Sequence, residues 1–393
     1  MNPAPLEGLY IGLMSGTSLN SIDCGLFEIE NNHISQRAGL EYPLNRDLRS
    51  SLLDLCEARA DLLHHLALAD RQLALSFAEA VRHLLEQQNL KPSEIIAIGS
   101  HGQTVRHSPD NGSASSYTVQ IGDPNTIVAE TGITTVADFR RRDIALGGQG
   151  APLAPAFHQF AFASPESERG IINIGGMANV SCLKKDGGIL GFDTGPGNVL
   201  MDAWIGLHKK AAFDKNGEWA ASGTVIPQVL ETLLAEPWLA SPPPKSTGRE
   251  LFGMAWLETQ LAKQQTMPHQ TKSHQTKPHQ TKSHQNMPPA DIMATLLRFT
   301  AQTIAQHCAQ YCPGLEEVFV CGGGAHNRVL CEQLSEQLNL PVSTTEILGI
   351  EPDWVEAATF AWLANQALMK NKLNWSNITG AGTPAVYGGI YHA

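Results

Sequence analysis

The sequence predicts an α/β fold made of two related units that face each other across a cleft. Three observations carry this. A strand–glycine turn–strand pattern opens the chain and recurs in its middle. Later strands run out into glycine loops that lead into helices. The length, 393 residues, suits two domains of ordinary size, each able to bury its own core. The duplication is one of pattern and not of identity.

The elements follow in order. Leu9 to Met14 is a short apolar run, Ser15-Gly16-Thr17-Ser18 a small-residue turn, and Cys24 to Ile29 a second apolar run. This reads as strand, tight loop, strand. Residues 45–90 carry helical periodicity through Leu48, Leu52, Leu55, Leu73, Phe77, Val81 and Leu84. Ile95 to Ile98 is a buried strand ending in Gly99-Ser100-His101-Gly102. In the middle, Ile171 to Ile174, the turn Gly175–Asn179 and Val180 to Leu183 repeat the opening. Ile189 to Phe192 leads into Asp193-Thr194-Gly195-Pro196-Gly197-Asn198, with a helix starting near Pro196. Val318 to Cys321 ends in Gly322-Gly323-Gly324-Ala325-His326-Asn327, followed by helices to about Leu338 and over about Asp353 to Met369.

Composition is globular, with 42 % apolar and 17 % charged residues. The net charge of −11 argues against non-specific binding to nucleic acid or to an anionic membrane surface. Residues 1–36 hold no Lys or Arg, so the basic start of a secretory signal is missing. No run approaches the ~18 apolar residues of a membrane span. A cytoplasmic location is expected. Seven scattered cysteines do not read as a disulfide framework, and buried thiols are expected. His307, Cys308 and Cys312 lie together on one helix, but the paired short spacings of a structural zinc site are missing. Residues 266–285 are a five-residue repeat of Thr, Lys or Met, Ser or Pro, His and Gln with no apolar face. They are expected to form a disordered insertion. Its histidines, His269, His274, His279 and His284, leave metal binding as a rival reading.

Four segments carry candidate chemistry. Gly16-Thr17-Ser18 can bring backbone N–H groups and hydroxyls to a phosphate, and an ordinary hairpin turn uses the same residues. Asp193, at a strand end beside a glycine turn, can act as general base, or can simply cap that turn. Gly322–Gly324 permits close approach of a base or phosphate. Asn327 stands where a dinucleotide fingerprint wants its third glycine, although Glu346 lies near the expected acid position. Asp138-Phe139-Arg140-Arg141-Arg142-Asp143 before Gly147-Gly148-Gln149-Gly150 can hold a carboxylate or phosphate through its arginines, or be a solvated charge run. His101 and Gln103, beyond a buried strand, are further candidates.

Together these segments resemble the anhydro-N-acetylmuramic acid kinase family. The matching stretches are Ile11–Ser18, Gly99–Pro109, Gln120–Asp123, Thr135–His158, Asn173–Val180, Gly191–Asp202, Val320–Asn327 and Val355–Ala364. The resemblance implies an actin-like ATPase fold with ATP in the cleft. The first unit would hold residues 1–142 plus about 378–393, and the second about 143–377. It implies cleavage of a 1,6-anhydro bond with phosphorylation at O6, within cell-wall recycling. Asp193 would activate the attacking water. Gly16, Thr17, Ser18, Leu19, Asn20, Ser21, Ile22 and Asp23 would form the phosphate hairpin. Gly195, Gly197, Gly322, Gly323, Gly324 and Asn327 would line the nucleotide. His101, Gln103, Asp138, Arg140 and Glu356 would face the sugar, and Asp23 would serve Mg²⁺. The expected partners are the sugar and ATP, and a homodimer is allowed. The family hairpin usually reads Gly-Thr-Ser-x-Asp-Gly-x-Asp; here Asn20 and Ser21 replace its first Asp and second Gly. A catalytically impaired relative, or an actin-like kinase of another small sugar, therefore stays open.

Overall fold

A computed structural model describes residues 6–16, 19, 21–57, 62–109, 115–249, 251–265 and 287–393. Thr17, Ser18, Asn20 and the repeat at 266–285 lie outside the described residues.

The first unit opens with β1 (Gly8–Ser15), β2 (Ser21–Glu30) and β3 (His33–Pro43), an antiparallel meander. Helices α1 (Arg46–Glu57) and α2 (Leu62–Gln88) lead to β4 (Ile95–Ser100). A small ribbon, β5 (Gln103–Ser108) with β6 (Tyr117–Ile121), precedes α3 (Pro124–Thr131) and β7 (Thr135–Ala137). Then α4 (Arg141–Ala145) and α5 (Ala154–Phe162) cross to the second unit. That unit opens with β8 (Arg169–Ile174), β9 (Met177–Leu183) and β10 (Ile189–Pro196), again an antiparallel meander. There follow α6 (Val199–Lys209), α7 (Glu218–Ala221), α8 (Pro227–Leu234), α9 (Met254–Gln265) and α10 (Pro289–Tyr311). Next come β11 (Glu317–Cys321), α11 (Arg328–Leu338), β12 (Val342–Thr344), α12 (Val355–Leu368) and β13 (Gly389–Tyr391).

The two sheets share one plan. The first runs β3-β2-β1-β4-β7, with β13 added at its edge, and the second runs β10-β9-β8-β11-β12. In each, the fourth strand lies parallel to the first and the fifth parallel to the fourth. The pattern-level duplication in the sequence is thus a true repeat of topology, and the chain has the actin-like arrangement of two α/β units.

The packing explains where the sheets meet. Helix α12 lies directly on the first sheet: a Cβ on Gly12 would fall 1.8 Å from the Ala357 carbonyl oxygen, and one on Gly99 would fall 1.9 Å from that of Phe360. Only glycine on β1 and β4 permits that approach. Helix α12 thus rests on the first unit's sheet, ahead of the stretch from about residue 378 that is expected to return to that unit. One apolar cluster joins Tyr10, Phe27 and Ala97 to Phe157, Ile171, Phe319 and Leu363, tying the inner faces of both sheets to α5 and α12. A second fills the outer face of the second sheet with Phe192, Trp204, Phe299 and Ile304, and a third fills the outer face of the first with Ile11, Phe77 and Ile98.

One thiol expectation is corrected. Cys182 on β9 and Cys312 after α10 form a disulfide, with Cα atoms 5.6 Å apart. Strand β9 and the end of α10 pack in the same core, so residues 130 apart in sequence meet. Cys24, Cys308 and Cys321 are buried free thiols.

Candidate active site

The strand ends that converge in the cleft carry the site. On the second sheet, Asp193 ends the regular pairing of β10, because Thr194 bulges out of register with β9. A bulge re-aims the side chain beside it. Asp193 is only 6 % exposed. Its amide donates to the Lys245 carbonyl (3.1 Å), and its Oδ2 accepts from the Thr247 amide (2.9 Å). The segment 244–247 thus grips the carboxylate from one side.

Arg140 comes from the other unit, just after β7. Its Nε donates to His101 Nε2 (2.9 Å) and its Nη1 to the Gly150 carbonyl (2.6 Å). Burial lowers its pKa to about 10, against the pull of Glu356, Asp193 and Asp143. The charges of those three acids thus act on one buried guanidinium. Glu356, on the first turn of α12, accepts from Asn173 Nδ2 (3.2 Å), and burial raises its pKa. Asp23 on β2 lies opposite Met14 on β1 and Glu41 on β3. Burial, then Glu356, Glu41 and Asp353, push its carboxyl up to about 8.

Among the described residues, the buried polar atoms without a hydrogen-bond partner include Ser15 Oγ, Ser100 Oγ and Gln103 Oε1 on the first unit and Asn173 Oδ1 and Thr247 Oγ1 on the second, with others elsewhere such as Trp375 Nε1 and Tyr387 Oη. Buried polar atoms are nearly always satisfied, so Asn173 and Thr247, whose other atoms bond Glu356 and Asp193, have capacity for a polar ligand.

Other expected residues take different duties. His101 is buried and both its ring nitrogens are used, Nδ1 toward the Gly102 carbonyl and Nε2 toward Arg140. It steers Arg140 and has no ring nitrogen left for a sugar. Asp138 turns away to pair with Arg141 (2.8 Å) beside Arg142 and Gly388. Leu19 and Ile22 are core side chains, so only their backbone can meet a phosphate. Gly16 has open space around it, as a phosphate-facing glycine requires. The Gly197 amide donates to the Gly176 carbonyl (2.9 Å), and a Cβ there would strike the Gly175 carbonyl oxygen at 2.4 Å. Gly197 therefore zips the strand end to the second hairpin and has no amide to offer a ligand. Gly195 holds a positive φ of 136° at the bulge. Gly322 and Gly324 pack against Asn173 and Ile174, while Gly323 keeps an open face toward Asn198. Asn327 spends its side-chain oxygen capping α11 through the Leu330 amide (3.1 Å).

Sequence reasoning passed over Lys245 and Thr247, and named Asp143 only as the end of a charged run. Asp143 is fully buried; its Oδ2 accepts from the Gly150 amide (2.6 Å) and its Oδ1 from Thr379 Oγ1 (2.7 Å). It shapes the Gly147–Gly150 loop. The available signal for the others was the run Pro242-Pro243-Pro244-Lys245-Ser246-Thr247-Gly248, a stiff polar loop.

Among the described residues, no group of three or more His, Cys, Asp or Glu side chains gathers to hold a metal alone. No described helix is long and apolar enough to cross a membrane.

A family model described as anhydro-N-acetylmuramic acid kinase matches residues 8–393. The anhydro-N-acetylmuramic acid kinase of Aliivibrio fischeri is 45 % identical over 386 residues, covering 98 % of this chain and 99 % of its own. That of Photobacterium profundum is 44 % identical over 392 residues, covering 98 % of each. A solved ROK-family glucokinase from Streptomyces griseus, in complex with glucose and AMPPNP, aligns with 91 % of this chain and 100 % of its own. It is 12 % identical, with a TM-score of 0.40.

Proposed function

The chain belongs to the anhydro-N-acetylmuramic acid kinase family, and from that premise we propose how its cleft performs the reaction. The enzyme converts 1,6-anhydro-N-acetylmuramic acid, water and ATP to N-acetylmuramic acid 6-phosphate and ADP. The observation that carries the site assignment is the fixed carboxylate of Asp193 beside Arg140 and Glu356, with unpartnered polar atoms on Thr247 and Asn173.

Asp193 takes a proton from water as the water oxygen bonds to the anomeric carbon. The bond from that carbon to O6 breaks, and O6 leaves with the bonding electron pair. O6 then bonds to the γ-phosphorus of ATP, the bond to the β-phosphate bridging oxygen breaks, ADP leaves with that electron pair, and Asp193 gives its proton up to solvent. The Thr247 amide, donating to Oδ2, orients the Asp193 carboxylate for this proton transfer. Arg140, oriented by His101 and the Gly150 carbonyl, offers its remaining N–H groups to an anionic group of the sugar. The glycine-rich β1–β2 hairpin receives phosphate oxygens.

Mg²⁺ fits the donors present. Asp23 and Glu356 are mutually repelling acids beside the hairpin, and a divalent cation on ATP needs only one or two carboxylates besides phosphate oxygens. Asp23, with Glu356 near it, would hold the ion, which would neutralise charge on the phosphates. The reaction belongs to amino-sugar salvage from the cell wall in the cytoplasm, where ATP is available.

Coupled ADP-release assays over a panel of sugars test this reading. ADP is expected only with the 1,6-anhydro sugar, with the 6-phosphate product identified by mass. ADP release with ordinary hexoses, and none with the anhydro sugar, would overturn it.

A further inference from the structure

Lys245 is a cation buried to 4 % exposure in a protein with acids to spare, and no carboxylate touches it in the described contacts. Its Nζ donates to the Leu239 carbonyl (3.0 Å) and to His307 Nε2 (2.7 Å), and lies 4.4 Å from the centre of the Trp238 ring. A buried charge is costly unless its hydrogen bonds are made and an opposite charge is near. The hydrogen bonds are made here by neutral groups. The opposite charge is Asp193, which pulls the lysine pKa back up against burial, to about 8.

The tautomer of His307 follows from its place on α10. Its Nδ1 lies 2.6 Å from the Thr303 carbonyl one turn back and must donate. Nε2, the Leu239 carbonyl and Lys245 Nζ form a triangle, with Nε2 3.0 Å from that carbonyl oxygen; in a neutral ring donating from Nδ1, Nε2 and the carbonyl are both acceptors, and Lys245 Nζ donates to each. Burial, and then Lys245, lower the His307 pKa, which keeps the ring neutral and accepting.

The backbone of Lys245 and its neighbours explains the use of this anchor. The Lys245 carbonyl accepts the Asp193 amide, and two residues on, the Thr247 amide donates to Asp193 Oδ2. Between them, Ser246 Oγ donates to Gln149 Oε1 (2.9 Å), and Gln149 Nε2 donates to the Pro244 carbonyl (3.2 Å). Residues 242–244 are all proline and supply no backbone N–H of their own. The segment is therefore held by side chains: Lys245 underneath, Gln149 on top.

We propose that Lys245, seated on His307 and the Leu239 carbonyl, is a positioning residue that pins the 244–247 segment so that Thr247 fixes the orientation of the Asp193 carboxylate. The assignment rests on reading Asp193 as the base.

Three variants test it in the full chain: Lys245→Met, His307→Leu and His307→Gln. Lys245→Met keeps the apolar stem and removes the anchor. Its kcat should fall about 10–100-fold, the range for residues that orient a catalytic group, with KM for ATP unchanged. His307→Leu should lose activity similarly, and His307→Gln, which restores an acceptor, should recover much of it. The decisive measurement is Lys245→Met in the Asp193→Asn background. If Lys245 acts through Asp193, the second change should cost less than about threefold, because the two act as one unit. Losses that multiply, an unchanged kcat in Lys245→Met, or a raised KM for ATP alone would overturn the proposal. Amide hydrogen exchange needs no substrate and keeps the functional reading separate. Lys245→Met should speed exchange at Asp193 and Thr247 while global melting stays cooperative. If the parent fails to turn over the anhydro sugar, the functional reading falls by itself. Unchanged protection at those two amides would still reject the anchor.

Discussion

Replacing Asp193 by Asn removes a charge and changes almost nothing in shape. The carboxamide oxygen can still accept the Thr247 amide at 2.9 Å, and the backbone bond to Lys245 is untouched. What is lost, in the proposed mechanism, is the group that takes the proton. Loss of a general base costs about 10²–10⁴-fold in rate, which is about 3–5.5 kcal/mol of barrier. The upper end is expected, because water is a poor nucleophile toward an acetal carbon unless it is deprotonated. Two cations also lose a neighbouring anion, since Asp193 raises the pKa of both Arg140 and Lys245. Lys245 should therefore titrate below its parent value of about 8 in the variant. The assay is kcat for sugar-dependent ADP release, with sugar and non-hydrolysable nucleotide affinity measured by calorimetry. Affinities should stay near the parent's while kcat collapses. Turnover within about tenfold of the parent would fall below the general-base range and reduce Asp193 to a residue that shapes a bulge.

Asn20→Asp combined with Ser21→Gly should raise turnover or lower the Mg²⁺ requirement, by returning a carboxylate to the phosphate hairpin. Identical Mg²⁺ titrations for variant and parent would show that Asp23 and the phosphates suffice. Deleting residues 266–285, between the end of α9 at Gln265 and the start of α10 at Pro289, should leave melting temperature and turnover unchanged. A large rise in sugar KM would instead give the tract a part in substrate binding. His158 is fully buried with its Nδ1 2.8 Å from Ser181 Oγ, and burial lowers its pKa to about 3. The unfolded chain therefore binds a proton that the folded one refuses. The contribution of neutral His158 is complete above about pH 6.5 and is lost as pH falls toward 3, at up to about 1.4 kcal/mol per unit. His158→Asn should flatten the slope of urea stability between pH 6.5 and 4, and parallel slopes for parent and variant would refute the assignment.

The sequence announced the strand ends because each is an apolar run cut off by glycine, and those ends are where Gly16, Asp193 and Gly322 stand. It also showed the repeat, since both meanders use the same alternation of apolar run and glycine turn. Pairings between distant segments were not legible. Gly12 and Gly99 look like ordinary strand glycines until α12 is laid across them. His101 looked like a sugar ligand because nothing local shows that Arg140 consumes its second nitrogen. Asp138 and Arg140 stand two residues apart, yet the positive φ of 60° at Asp138 sends its carboxylate to Arg141 while Arg140 turns toward His101. Lys245 was invisible for the same reason: its meaning lies in His307 and Asp193, 62 residues on and 52 residues back.

In the proposed mechanism the two halves of the reaction draw on different sheets, the β1–β2 hairpin of the first for phosphate and Asp193 of the second as base. A cleft enzyme of this kind gains from a link that fixes one against the other, because a near-attack geometry tolerates little misplacement. Gln149 supplies such a link. Its amide donates to the Thr379 carbonyl, beside the buried Asp143 that organises its loop, and its side chain grips Pro244 and Ser246. Arg140 supplies another, since it is steered by His101 at the end of β4 while its charge is felt between Glu356 and Asp193. Both links end at groups that hold or face the same carboxylate. The orientation of Asp193 is thus a property of how the two units sit together, so a shift of one unit against the other would disturb the base and the phosphate hairpin in the same motion.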